Sequence, residues 1–376
     1  MATIPGRLVL AGVPRVRFYQ GGPCCPEDIP FPSVMRALME YFQEGDFGCR
    51  ACRTLPPGSK VPCTYSFFLG VSGVASFLSW KPGWADDNLE IMYMADDPRA
   101  PFDRAFEATG YEHQFVGVEG GRDNEAFFRQ RIIESIQKGR PVLAFGPVGP
   151  PDSAIITGYD EGGGVLIGWS FFQDFPDFNA GLEFEPSGQF RVRDWFSYPP
   201  GFSFVVIGEK KQRPPLPETY RRALEWMLQV TRTPVTFGDR LNGLATYAAW
   251  AEHLLRDQDF PDDEPTLRQR HDVHNAATGM LAEARWYGSQ FLIQASDPDI
   301  LPYRMAEDLM HAAACYAAEH ALMWNLWDLV GGNGNPEAFR RFADPAVRHQ
   351  MIPVIEEARE KDAQAAEHIE RALARS

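Results

Sequence analysis

The chain lacks much that would settle its role at once. No stretch approaches the roughly 20 apolar residues of a membrane span, and the opening "MATIPGRLVLAGVPRV" carries an apolar run too short and too broken by Gly and Pro for a secretory signal. A cytoplasmic protein without a membrane partner is the expectation. Basic residues are few against acidic ones, 36 Lys and Arg to 51 Asp and Glu, a net charge of −15, and they nowhere form a run. A polyanion would be repelled, so nucleic acid is excluded as a partner. There is no repeat of fixed period and no low-complexity tract. Six cysteines in 376 residues are too few for a disulfide scaffold. Histidine is thinly spread: of the eight, only His113 precedes residue 213.

What is present divides in two. Before residue 213, short β-rich runs ("RLVLAG", "HQFVGV", "RPVLAFG", "AIITGYD", "VLIGWSF", "FSFVVIG") alternate with a few helical patterns and Gly/Pro turns. The segment "EKKQRPPLPET" then supplies charge and prolines. After it, apolar residues recur at three and four, with breaks at "DQDFPDDEP", "SDPDILP" and "GGNGNP". The spacing predicts an α+β domain over residues 1–213 and an all-α bundle of four or five antiparallel helices over 214–376.

Two segments of the first domain carry chemistry. In "YQGGPCCPEDIPFPSVMRALMEYFQ", Cys24 and Cys25 stand just ahead of a helix beginning near Pro32, with Val34, Leu38 and Phe42 on one face. A helix N-terminus favours the thiolate that a nucleophile must become. The carboxylates Glu27, Asp28 and Asp152 oppose it, because a nearby like charge raises a thiol pKa, and a full charge should outweigh the roughly half charge of a helix end. In "PPDSAIITGYDEGGGVLIGWSFF", two β-rich runs flank a Gly-rich turn and read as a hairpin.

A cysteine before a long N-terminal helix, the second helical segment "YSFFLGVSGVASFLSW" and the hairpin "SAIITGYDEGGGVLIGW" together resemble the papain-like fold, in particular the bacteriocin-leader peptidases and the N-terminal domain of the butirosin-biosynthesis acyltransferase. The resemblance covers roughly residues 8 to 210. It implies a papain-like cysteine-peptidase-type domain and acyl chemistry through a thioester. Cys25 or Cys24 would be the nucleophile, Asp152 the base, and Ser170 or Asp174 the orienting group. Trp169, Tyr159 and Phe171 read first as core, though aromatics at the end of such a hairpin can also line a substrate pocket. The family's histidine stands just ahead of the first hairpin strand, where this chain reads Pro151, Asp152, Ser153. A carboxylate of ordinary pKa near 4 returns a proton poorly at neutral pH unless burial raises that value.

Other readings use the same residues. Cys49-Arg-Ala-Cys52 with Cys63 offers a zinc knuckle, but the second paired knuckle is missing, so no metal and no cofactor are expected. His253, His271, His274, His311 and His320 fall in helical patterns with Glu252, Glu283 and Glu319, without a Glu-x-x-His signature, and read as surface or satisfied core residues. Three functional classes follow: a cysteine-dependent acyltransferase or amidase acting on a small-molecule or peptide substrate, a non-catalytic relative that only binds such a ligand, and an interaction module whose bundle forms a homodimer.

Overall fold

The computed structural model describes residues 5–18, 26–48, 62–117, 124–196 and 203–375. In chain order the elements are β1 (Leu8–Val9), α1 (Pro30–Tyr41), α2 (Pro62–Ser72), β2 (Ser79–Trp80), α3 (Ala100–Thr109), β3 (Tyr111–Val116), α4 (Glu125–Gln137), β4 (Val142–Phe145), β5 (Ser153–Asp160), β6 (Val165–Ser170), α5 (Pro176–Asn179), β7 (Glu183–Phe184), β8 (Phe190–Arg193) and β9 (Ser203–Lys210). They continue with α6 (Leu216–Arg232), β10 (Val235–Thr236), β11 (Arg240–Asn242), α7 (Leu244–Leu254), α8 (Glu264–Ala295), α9 (Ala306–Val330), α10 (Pro336–Ala343) and α11 (Pro345–Ala374). The chain is thus α+β with a helical C-terminal region.

Two compact units form. The first comprises Met1–Asp46, Thr54–Tyr65 and Phe106–Arg213, the second Phe47–Arg53, Ser66–Ala105 and Pro214–Ser376, each over its described residues. One change of unit therefore falls at Arg213/Pro214, but Ser66–Ala105, which carries most of "YSFFLGVSGVASFLSW", belongs with the C-terminal helices.

The first unit is built on an eight-stranded antiparallel sheet in the order β3-β9-β4-β5-β6-β8-β7, with β1 also on β5. β4 pairs with the first half of β5 and β1 with the second, so the two share one side of it, while β6 runs along the other. Side chains alternate along the strands. Val142, Ala144, Ile156 and Phe204 meet Phe128, Ile132 and Ile136 of α4 in one core cluster. Leu143, Ile155 and Val205 are buried as well, and α1 packs against β5. The hairpin turns through Glu161–Gly163, where Gly162 and Gly163 take φ of 62° and 91°. Glycine is needed there because a Cβ is disfavoured in the left-handed region. α1 begins at Pro30 rather than Pro32, with prolines in its first turn, where their missing N–H costs nothing.

The second unit is not all helix, which corrects the expectation of an all-α bundle. β10, β11 and β2 form a three-stranded antiparallel sheet. Six helices, α6 to α11, follow Pro214 among the described residues. The long helices α8 and α11 both pack along α9.

Candidate active site

The hairpin strands carry the residues singled out in the sequence. Asp152 immediately precedes β5, and Ser170 ends β6 opposite Ala154, so the two stand at the same end of the hairpin. The loop before Asp152 folds tightly. Gly146 N–H donates to Asp152 O at 3.1 Å and Asp152 N–H to Pro150 O at 2.7 Å. Gly149 has φ +83°, and a Cβ on it would meet the ring of Phe172.

The Asp152 carboxylate accepts from the Ser153 N–H at 2.6 Å. No side chain hydrogen-bonds to it among the described residues. Burial pushes its pKa up to about 6, against a lowering by the Ser153 N–H. The residue keeps some accessible surface.

Ser170 is buried and fully engaged. Its Oγ donates to Val148 O at 3.1 Å and accepts from Phe172 N–H at 3.1 Å, and its N–H donates to Gln173 Oε1. Asp174 points away to a half-exposed ion pair with Arg15 at 2.6 Å. Neither orients Asp152. Trp169 lies opposite Ile155, donates its indole N–H to Val13 O and carries the Arg15 guanidinium over its ring. Phe171 is fully buried, edge-on to Phe18. Phe18 also meets Phe172 and Phe175, so the chain just ahead of the cysteine segment is anchored at this end of β6. Tyr159 is elsewhere: it pairs with Leu8 of β1, seven residues along β5 from Asp152, roughly 20 Å away. It does not line the same place as Trp169.

Cys24, Cys25, Cys49 and Cys52 lie outside the described residues. Just after Cys25 in sequence, Glu27 is buried and ion-paired to the buried Arg36 at 2.6 Å. Its charge is therefore compensated, which removes one of the carboxylates expected to oppose a thiolate. Ile29 N–H donates to the Tyr65 hydroxyl, and α1 then runs with Val34 and Leu38 buried. Phe42, expected on the same face, is half-buried and stacks on Tyr111.

The second unit holds a constellation that no motif announces. Arg285 of α8, fully buried, donates Nε–H to Glu319 Oε2 of α9 at 2.8 Å and Nη2–H to Asp362 Oδ2 of α11 at 2.9 Å. The Tyr247 hydroxyl of α7 bridges Glu319 and Asp362. Two carboxyls face one guanidinium away from water. Burial pushes the Glu319 pKa up to about 8, with Arg285 opposing and Asp362 reinforcing the rise. The Tyr247 hydroxyl has one proton to give and two carboxyls, Glu319 and Asp362, within reach of it. Three of the helix histidines, His253, His271 and His274, are buried. His253 Nε2 accepts from Gly83 N–H and its Nδ1 lies 2.8 Å from Ala249 O. His274 accepts from the Trp250 indole, and burial pushes its pKa down to about 3.

Compared with models of known protein families the chain matches none, and no curated protein sequence matches it.

Proposed function

We propose that the first unit is a papain-like acyl-transfer or amide-cleaving domain in which the Asp152 carboxylate replaces the imidazole of the ordinary thiol enzymes. The observation that carries the reading is the position and pKa of Asp152. It stands at the head of the first hairpin strand, and burial brings its pKa to about 6, into the range where a general base works near neutral pH. The anchoring of Phe18 on Phe171, Phe172 and Phe175 supports it, because only a few residues separate Phe18 from Cys24.

In the proposed step the Asp152 carboxylate takes the proton of Cys25 or Cys24. The sulfur attacks a carbonyl carbon, and the carbon–nitrogen or carbon–sulfur bond to the leaving group breaks as that group receives the proton from Asp152. The thioester then passes its acyl group to water or an amine, and the thiol is restored. A second reading, a cleft that binds without turnover, is favoured by one observation: Ser170 and Asp174 are occupied by Val148 and Arg15, which leaves Asp152 without an orienting partner.

Intact mass measurement after incubation with an activated acyl thioester separates the two. The expected result is one acyl group per chain, mapped to Cys24 or Cys25 and lost on changing that cysteine to Ala. An unmodified protein, or an adduct that survives the Cys24→Ala/Cys25→Ala pair, favours the binding reading.

A further inference from the structure

Near the first turns of α9, in the second unit, Asp308, His311 and His368 bring one ligand atom each to within 4.8 Å of one another. Asp308 and His311 are three residues apart on α9 and share a face. His368 comes from α11. Asp308 is only 4% exposed. Its Oδ2 lies 3.1 Å from Arg375 Nη1 but accepts no well-formed hydrogen bond among the described residues. Its Oδ1 lies 3.2 Å from His368 Nδ1. The imidazoles of His311 and His368 stand with ring centroids 4.9 Å apart.

We propose that Asp308, His311 and His368 form a binding site for a divalent, borderline-soft cation of the Zn²⁺ kind, clipping α9 to α11. Two imidazoles and a carboxylate are a donor set that leaves a coordination position for water. The spacing fits: ligands about 2.0–2.1 Å from a tetrahedral ion stand about 3.3 Å from each other, close to the separation of Asp308 Oδ1 and His368 Nδ1.

The cluster already attracts positive charge. Arg371 puts Nη2 2.7 Å from His368 Nδ1 and Nε 3.3 Å from Asp308 Oδ1. A guanidinium can only donate, so in the tautomer with Nδ1 unprotonated His368 accepts from Arg371 while Asp308 Oδ1 faces the same guanidinium. In that tautomer Asp308 and His368 turn lone pairs toward one cation, which is the arrangement a metal requires. Arg371 is 47% exposed and Arg375 46%, and side chains so exposed can swing into water at little cost. An open depression of about 620 Å³ is lined by Tyr303, Arg304, Ala306, Glu307, Met310 and Arg375, and Arg375 is also the residue that faces Asp308 Oδ2.

The test is titration of the chelator-treated full chain with Zn²⁺ by calorimetry, and with Co²⁺ by absorption. One ion per chain is expected at the cluster. Affinity should fall at least about tenfold in His311→Ala and in His368→Ala, and rise in Arg371→Gln, which removes the competing cation. The Co²⁺ form should show no thiolate charge-transfer band, which separates this site from the cysteines. His311 is exposed, so His311→Ala should keep the wild-type circular dichroism spectrum. No binding to the wild type, binding that survives the His311→Ala/His368→Ala pair, or binding weakened by Arg371→Gln would each overturn the proposal.

Discussion

In the papain-like reading proposed above, Asp152 takes the place of an imidazole, and burial moves its pKa toward the imidazole range. The linkage to stability has a definite sign. Its folded pKa is about 6 and its unfolded value about 4, so between those values the folded chain holds a proton that the unfolded chain releases. Stability therefore falls as pH rises from about 4 to about 6. Asp152→Asn removes this loss. The variant should match the wild type in urea melts at pH 4 and exceed it at pH 7 by on the order of 1–3 kcal/mol; equal stabilities at pH 7 would argue against a raised pKa. Asp152 is legible in the sequence because it precedes a recognisable strand. The fates of Ser170 and Asp174 are not, because Arg15, which captures Asp174, lies 159 residues away in the chain.

At the scale of elements, the hairpin depends on two glycines that let backbones approach. A Cβ on Gly168 of β6 would stand 2.2 Å from Ile155 O, and one on Gly158 of β5 would stand 2.6 Å from Leu8 O. Gly168→Ala should destabilise the protein by about 1–3 kcal/mol, read from the denaturation midpoint, since the obstacle is backbone rather than a flexible side chain. A near-neutral result would mean that β5 and β6 can separate freely. The six β-rich runs read from the sequence all contain strands, because each holds enough β-branched and aromatic residues to carry a pattern. β2, β7, β10 and β11 span two or three residues each, too few for any period to register. α10 spans eight residues and begins beside the break "GGNGNP", so its pattern merges with its surroundings. The pair Asp308-x-x-His311 is visible as a spacing on one helix, but its partner His368 is supplied by packing alone.

At the scale of the whole molecule, the second unit closes around a buried charge. Glu319 and Asp362 occupy core positions of their helices. Leu309, Ala312, Tyr316, Glu319, Met323 and Leu326 form one buried stripe; Met351, Ile355, Ala358, Asp362, Ala365 and Ile369 form another. A carboxylate inside an apolar stripe is a signal the sequence does carry; that both meet Arg285 is fixed only by packing. With Glu319 raised, the folded chain holds a proton up to about pH 8 that the unfolded chain loses above its ordinary value, so stability falls with rising pH across that window. Glu319→Gln keeps hydrogen-bonding groups toward Tyr247 and Arg285 without a titrating carboxyl, and should gain on the wild type as pH rises from 5 to 9. Arg285→Met strands Asp362 and should cost about 3–5 kcal/mol. Thermal melts across that pH range check both, and a Glu319→Gln curve parallel to the wild type would contradict a retained proton. Cleavage by trypsin at the exposed Lys210 or Lys211 should leave a nicked protein that elutes intact from gel filtration, because Ser66–Ala105 is part of the second unit. Fragments that separate freely would contradict that assignment.

The central claim is that a carboxylate serves as base for a cysteine. Its most direct test is the pH dependence of thiol acylation by an activated acyl ester, in the wild type and in Asp152→Asn. The wild-type rate should rise through an apparent pKa near 6, while simple alkylation of the thiol by iodoacetamide stays slow below pH 7. Asp152→Asn should lose that limb and leave only the rise that accompanies ionisation of the thiol itself. An acylation profile unchanged in Asp152→Asn, or alkylation already fast at pH 6, would contradict Asp152 as the base.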